Sequence, residues 1–253
     1  MKLTIRLLLL SLVLGLVALI GIVLVNVSRV DSPAAPRNQA VTMIPAAAEV
    51  LAEAVRIPTV MQDGSFNTAP FARWRAFLAA RFPRVHRQLE VVSINEHSLL
   101  YTWKGLNPKL PAILLTGHYD VVPAESEVST GNWDAKPFSG EIRDGYIWGR
   151  GAMDDKAGVV AMLLAFEKLL AEGFKPTSTI LLALGHDEEV GGAAGAARIA
   201  AYLRERNIRP AWLLDEGMPI THGIIGVVTR PVAMIGVAEK GYLTLELTSL
   251  GDG

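Results

Sequence analysis

The sequence predicts an α/β fold, in which helices form layers on a mostly parallel sheet. Segments with apolar residues at helical spacing alternate with short apolar runs bounded by turn residues, and this alternation is typical of parallel sheets. The composition, 51% apolar and 19% charged residues, is that of a globular chain. A length of 253 residues allows one large domain, or one and a half.

Eight segments carry this alternation. The first two predicted helices precede the first two predicted strands, and strands and helices then alternate. The predicted helices are residues 46–56, 71–81, 157–172 and 193–206, and the predicted strands are residues 98–104, 112–116, 179–185 and 211–214.

Charge and cysteine content exclude several functions. The net charge is -1, so the chain lacks the excess of basic residues that is typical of nucleic-acid-binding proteins, and we expect no nucleic-acid partner. The absence of cysteine excludes disulfides, thiolate ligands and a cysteine nucleophile. Any metal ion must therefore be held by His, Asp and Glu.

Residues 7–25 form an apolar run that is interrupted by one serine and two glycines. This run is long enough to cross a hydrocarbon core of roughly 30 Å as a helix. Lys2 and Arg6 precede it, so we expect a cytoplasmic N-terminus and a folded domain on the non-cytoplasmic side. A cleaved signal peptide, which would give a secreted protein, is the alternative. An anchor is favoured because signal peptides have shorter apolar parts, about 7–15 residues, and an A-x-A-like cleavage site.

The first chemical motif, GHYDVVP at residues 117–123, follows the predicted strand 112–116. Residues two apart on an extended segment point the same way, so Asp120 is expected beside the imidazole of His118. There it would fix the tautomer and angle of a metal-binding histidine. Taken alone, a His-x-Asp pair is more often structural.

The second motif, WGRGAMDDK at residues 148–156, brings Asp154 and Asp155 to the start of a predicted helix. A helix N-cap accounts for one aspartate. The second remains available for a cation, and the glycines permit close backbone approach.

The third motif, HDEE at residues 186–189, follows the buried strand 179–185. Ionisable residues at such a strand end are costly unless they are exposed or coordinated, so Glu188 and Glu189 indicate a metal site. An acidic surface turn is the alternative. The glycines that follow match neither G-x-G-x-x-G nor a Walker sequence, which excludes a nucleotide site.

The fourth motif, LLDEG at residues 213–217, places Asp215 and Glu216 after another apolar strand. Because ligands gather at the carboxyl ends of parallel strands, we expect the four motifs to meet at one edge of the sheet. Such a set of nitrogen and oxygen donors suits zinc or a similar divalent ion.

Together with residues 133–138, these motifs resemble the ordered motif set of the co-catalytic zinc metallopeptidases, which include carboxypeptidase S, Gly-X carboxypeptidase and the aminoacylases. The resemblance runs from about residue 45 to residue 253 and is closest to the carboxypeptidase S branch. It implies a three-layer zinc-peptidase catalytic domain, interrupted by a smaller lid domain that often mediates dimerisation.

The resemblance also implies two zinc ions and a role for each motif residue. Asp120 would orient His118, Glu188 would be the general base, and Glu216 competes with Asp215 for the last ligand position. The implied ligands are His118 for one zinc, Asp154 as the bridge, Glu189 for the other zinc and Asp215 from the last motif.

The implied reaction is amide hydrolysis in small peptides, of the carboxypeptidase type, by a metal-activated water. An aminoacylase acting on N-acyl amino acids and a dipeptidase are alternatives that use the same site. A membrane-tethered inactive binding homologue is the non-enzyme alternative, which the retained Glu188 disfavours. A serine hydrolase is disfavoured because the chain has no G-x-S-x-G elbow, and a transporter because it has a single spanning segment.

This interpretation predicts that the chain is incomplete, and it divides the chain into four segments. We expect the lid and the final metal-binding histidine to lie beyond residue 253, so this chain would be incomplete for activity, and the full-length form would be a homodimer. The segments are residues 1–30, an anchor or signal; 31–44, a linker; 45–238, the catalytic domain; and 239–253, the first strand of the lid.

Overall fold

A computed structural model describes residues 2–28, 46–62, 67–124, 133–224, 230–238, 241 and 245–248. The chain divides into two compact units, residues 1–43 and 44–253, and each is described by itself. The predicted linker, residues 31–44, lies outside the described residues.

The first unit contains helix α1 (Lys2–Ser28). Its segment Leu9–Asn26 has the length and composition of a membrane span, features that it shares with signal sequences. Apolar side chains cover the helix all round, and Leu12, for example, is 71% exposed. A helix of this kind requires an apolar surrounding. The membrane anchor therefore remains a prediction, with a cleaved signal peptide as the alternative.

The second unit contains all eight helices and strands that the sequence predicted between residues 46 and 214, with boundaries that differ by a few residues. Four elements had not been assigned: one short helix, the first strand and a two-stranded hairpin. The helices are α2 (Ala47–Val55), α3 (Thr68–Arg81), α4 (Pro83–Gln88), α5 (Lys156–Ala171) and α6 (Ala196–Glu205). The strands are β1 (Glu90–Ile94), β2 (Ser98–Trp103), β3 (Ile113–His118), β4 (Glu141–Arg143), β5 (Tyr146–Trp148), β6 (Ile180–Gly185) and β7 (Trp212–Leu214).

Five strands form the central sheet in the order β1-β2-β6-β3-β7. Strand β3 pairs in parallel with β6 on one side and β7 on the other, whereas β2 is antiparallel to β1 and β6. Four of the five strands therefore share one direction, which confirms the mostly parallel sheet. The exception arises because β1 and β2 form a hairpin through residues 95–97, whereas helices connect the parallel strands.

Helices cover both faces of the sheet, which confirms the three-layer prediction. On one face, α2, α3, α4 and α5 pack on alternate side chains of β2 and β6, such as Tyr101 and Leu182. On the other face, Ile199 and Leu203 of α6 pack on Leu114 and Leu181. Because side chains alternate along each strand, the two sets of contacts use neighbouring residues.

The predicted strand near the end of the chain is not seen in the residues that are described there. Residues 241 and 245–248 belong to no helix or strand, and the rest of the segment 239–253 lies outside the described part. The four-segment division of the chain therefore remains a prediction.

Candidate active site

The four motifs meet at the carboxyl ends of the parallel strands, as the sequence analysis expected. His118 ends β3 opposite Gly185, the last residue of β6. The HDEE segment follows β6, the DEG segment follows β7, and the double aspartate begins α5. The register of neighbouring parallel strands thus brings together residues that are almost 100 positions apart in sequence.

His118 is the centre of this group. Its side chain is buried, and its Nε2 lies 2.9 Å from Asp154 Oδ1, 3.5 Å from Glu216 Oε2 and 3.7 Å from Glu188 Oε2. One ligand atom from each of His118, Asp154 and Glu216 lies within 4.8 Å of the other two. A single cation can therefore contact all three residues.

The surrounding charges make this position favourable for a cation. Burial would lower the pKa of His118, but the Asp120, Glu216 and Asp154 carboxylates outweigh burial and raise the pKa to about 10. The imidazole holds its proton firmly for the same electrostatic reason that a metal ion would bind here.

Asp120 is fully buried and connects His118 to the HDEE segment. His118 Nδ1 lies 3.1 Å from the main-chain oxygen of Asp120 and 3.3 Å from its Oδ1. The Asp120 carboxylate also accepts hydrogen bonds from the main-chain N–H of Glu188 at 3.2 Å and of Glu189 at 3.0 Å. The contact with His118 matches the expected geometry, whereas the bonds to the two glutamates were not foreseen.

Glu188 and Glu189 lie in a short 3₁₀ turn, Glu188–Val190, directly after β6. Burial raises the pKa of both carboxyl groups, and the charge of Asp154 raises that of Glu189 further. Glu189 thus lies in the field of Asp154, although it is outside the three-residue group around His118. Both glutamates are therefore within the electrostatic field of Asp154 and His118.

The two carboxylates of the LLDEG motif, Asp215 and Glu216, have different contacts. Asp215 Oδ1 accepts hydrogen bonds from the Thr116 hydroxyl at 2.5 Å and from the main-chain N–H of Glu216 at 2.9 Å. Glu216, rather than Asp215, belongs to the group around His118. Burial raises the pKa of Glu216 to about 7. The contacts therefore favour the competitor, Glu216, over the residue that the resemblance implied.

The paired aspartates also have different environments. Asp155 precedes α5, is 5% exposed, and its Oδ2 lies 3.4 Å from the main-chain nitrogen of His118. Burial raises its pKa to about 6. The side chain of Asp154 is 64% exposed and faces His118. One aspartate thus joins α5 to β3, and the other is available to a cation.

Lys156 is a buried residue whose importance the sequence analysis missed. Its Nζ donates hydrogen bonds to the carbonyls of Ala54, at 3.1 Å, and Ile57, at 2.5 Å, and lies 5.2 Å from the centre of the Trp74 ring. Burial lowers its pKa to about 7. The sequence contained one signal of this, because the positive charge of a lysine in the first turn of a helix interacts unfavourably with the helix dipole.

The Trp133–Phe138 stretch supports the turn that leads to Asp154. Pro137 accepts a hydrogen bond from the main-chain N–H of Arg150 at 2.7 Å, and the Arg150 guanidinium lies 5.3 Å from the Trp133 ring centre. Gly149 has a φ of +148°, and a Cβ there would lie 2.8 Å from the Pro137 oxygen. Only glycine satisfies both conditions.

Two further histidines, His86 and His97, lie in different environments. His86 is in α4, where it contacts the Tyr101 hydroxyl at 3.2 Å. His97 is 8% exposed and lies in the β1–β2 turn, with its ring 5.4 Å from that of His186. Packing against the buried aromatic side chains brings it inside.

The donors around His118 fit a zinc ion. They are one imidazole nitrogen and carboxylate oxygens, the hard ligands that zinc accepts in catalytic sites. An α/β domain with such a group at the carboxyl ends of its parallel strands is typical of metal-dependent hydrolases.

Comparison with known proteins identifies the family. Residues 114–243, just over half of the chain, match the Peptidase family M20/M25/M40. The chain therefore belongs to this family of peptidases.

Two relatives and one solved structure illustrate the likeness. The chain is 45% identical over 180 residues to probable carboxypeptidase S-like 2 of Dictyostelium discoideum, covering 70% of this chain and 34% of that protein. It is 40% identical over 249 residues to human N-fatty-acyl-amino acid synthase/hydrolase PM20D1, covering 93% and 48%. A metallo-carboxypeptidase from Sulfolobus solfataricus shares the fold, with a TM-score of 0.54 at 21% identity over 70% of this chain and 38% of the other. The chain thus spans a third to a half of these relatives.

Proposed function

We propose that this chain carries the centre of a zinc-dependent amidohydrolase that cleaves amide bonds in small peptides, with N-acyl amino acids as the alternative substrate class. The observation that carries the proposal is the group of His118, Asp154 and Glu216, with Glu188 beside it. Relatives named carboxypeptidase S-like and N-fatty-acyl-amino acid synthase/hydrolase support both substrate classes.

Two zinc ions would be held, with Asp154 common to both sites, as the family resemblance implies. His118 and one carboxylate of the DEG segment would complete the first site, and Glu189, which lies in the field of Asp154, would belong to the second. When bound, zinc lowers the pKa of water and polarises a carbonyl oxygen.

Glu188 would act as the general base. Its carboxylate is 3.7 Å from His118 Nε2 and 53% exposed, so it can reach a water and a substrate at the site. It would accept a proton as the water oxygen bonds to the carbonyl carbon, and donate that proton to the nitrogen as the C–N bond breaks. Its raised pKa brings it closer to the range in which a carboxyl group both accepts and donates protons.

The remaining expectations on location and assembly are also proposals. The helix α1 supports a single-pass protein with its catalytic domain on the non-cytoplasmic side, or a secreted one if the helix is cleaved. A homodimer in the full-length form is proposed from the family resemblance alone.

Elemental analysis after dialysis against zinc tests the proposal. We expect zinc in the unaltered chain and in Glu188→Gln, and its loss in His118→Ala, because only the last change removes a ligand. In a full-length protein, Glu188→Gln should lower the rate of amide hydrolysis by about 100- to 10,000-fold. Absence of zinc from the unaltered chain, or loss of zinc in Glu188→Gln, would contradict the assignment.

A further inference from the structure

We infer that Asp187, Gly195 and Ser98 form a clamp that positions the Glu188–Glu189 turn. Asp187 would be a positioning residue, because it acts through the two glutamates that follow it. The roles of those glutamates rest on the proposed function, whereas the clamp itself rests on contacts in the structure.

Asp187 holds the glycine-rich loop that follows the turn. Its side chain is buried, and its Oδ2 accepts a hydrogen bond from the main-chain N–H of Ala194 at 2.6 Å. Its main-chain oxygen accepts another from the N–H of Gly192 at 2.8 Å. A single residue therefore closes the loop over residues 188–194.

Gly195 is required here by space. A Cβ at this position would lie 2.3 Å from Asp187 Oδ1 and 2.9 Å from Ser98 Oγ, which is closer than carbon and oxygen atoms approach. The φ of Gly195 is -104°, so a positive φ is not the reason for glycine. A methyl group would displace the Asp187 carboxylate.

The β1–β2 hairpin supports the clamp from the other side. Ser98 is fully buried in β2, and its Oγ lies 2.6 Å from Nδ1 of His186, the residue before Asp187. Asn95 in the hairpin turn donates a hydrogen bond from Nδ2 to the Ala194 oxygen at 3.1 Å. Residues on both sides of the turn are thus tied to one hairpin.

The clamp determines where the two glutamate N–H groups point. Both donate to Asp120, so a shift of Asp187 would misalign them. Asp187 Oδ1 is buried without a hydrogen-bond partner in the part of the chain that the structure describes. Such an oxygen costs folding free energy, which is consistent with a residue retained for position rather than stability.

Gly195→Ala in the whole chain tests the inference, with Gly236→Ala as the matched control, since a Cβ at Gly236 meets no atom within 4 Å. We expect amide hydrogen exchange at Glu188 and Glu189 to accelerate at least about tenfold, with Leu182 in β6 unchanged. Zinc binding should weaken by about 10- to 100-fold, as for lost contacts around metal ligands. The control should change neither quantity.

A second pair of variants avoids dependence on the folding of Gly195→Ala. Asp187→Ala removes the acceptor for the Ala194 N–H and should reproduce the local effect, whereas Asp187→Asn retains an acceptor and should restore slow exchange at Glu188 and Glu189. Equal acceleration at Leu182 would show a purely structural role and overturn the inference, as would unchanged exchange and zinc binding in both Gly195→Ala and Asp187→Ala. Absence of zinc from the unaltered chain would instead contradict the proposed function, and local acceleration of exchange would still support the clamp.

Discussion

At the scale of single residues, the charge balance around His118 decides what the site can bind. One buried imidazole lies beside carboxylates from four different motifs, and their repulsion is relieved by a proton on His118 or by a metal ion. The sequence analysis recognised each of these motifs. It could not say which of two adjacent carboxylates in the DEG segment faces His118, because that depends on the path of the chain after β7.

Two isosteric variants separate these carboxylates. On the contacts seen here, Glu216→Gln should weaken zinc binding by at least about 100-fold, beyond the effect of losing a supporting contact, whereas Asp215→Asn should cost about tenfold or less. Titration with zinc against a competing chelator measures both affinities. A larger loss in Asp215→Asn would return the ligand role to Asp215, as the resemblance implied.

At the scale of elements, the start of α5 is joined to two neighbours by consecutive residues. Asp155 contacts the main chain at the end of β3, and Lys156 reaches the carbonyls of Ala54 and Ile57 near the end of α2. These contacts support the Asp154 carboxylate, although neither residue belongs to the metal-binding group. Sequence patterns identified the double aspartate. They could not show that the next side chain, Lys156, extends from α5 to the end of α2.

Lys156 should impose a pH dependence on stability. Its folded pKa of about 7 is below its unfolded value of 10.5, so the unfolded chain binds more protons in this interval. Its contribution to the free energy of unfolding therefore rises as pH rises from 7 to 10.5. Denaturant titrations should show a smaller rise in Lys156→Met than in the unaltered chain. Lys168→Met, at an exposed position on the same helix, provides the control for removing a lysine.

At the scale of the whole molecule, burying several acidic groups at one edge of the sheet links metal binding to folding. Without a cation, these carboxylates repel each other, and burial raises the pKa of Glu216 and Asp155. A bound metal ion removes this repulsion, so its binding free energy also stabilises the fold.

The zinc-free protein should lose stability as pH rises from about 4.5 to 7. Glu216 has a folded pKa of about 7 against an ordinary value of 4.5, so the folded state binds more protons across this window and is destabilised as they leave. Glu216→Gln should raise the free energy of unfolding at pH 7 by on the order of 1 kcal/mol. This value allows for solvent screening, because the Glu216 side chain is 33% exposed. Thermal unfolding with a chelator measures this effect. An unchanged unfolding temperature in the variant would contradict it.

The N-terminal helix makes a prediction about the intact protein in cells. If α1 is an anchor, the protein should remain in the membrane fraction at high salt and alkaline pH and be released by detergent, because apolar burial does not depend on ionic strength. Mass spectrometry of the N-terminus provides the second readout. Release of a shorter protein that lacks α1 would show a cleaved signal.

The sequence by itself determined the α/β class, the eight predicted helices and strands, and the motifs that meet at one edge of the sheet. These follow from local patterns, since apolar spacing, turn residues and strand ends are properties of neighbouring positions. Only the tertiary structure decided that the β1–β2 hairpin joins the sheet in antiparallel orientation, that Asp120 holds the N–H groups of Glu188 and Glu189, and that Glu216 rather than Asp215 faces His118. These contacts join residues distant in sequence, and their geometry depends on strand register and packing, which no local pattern specifies.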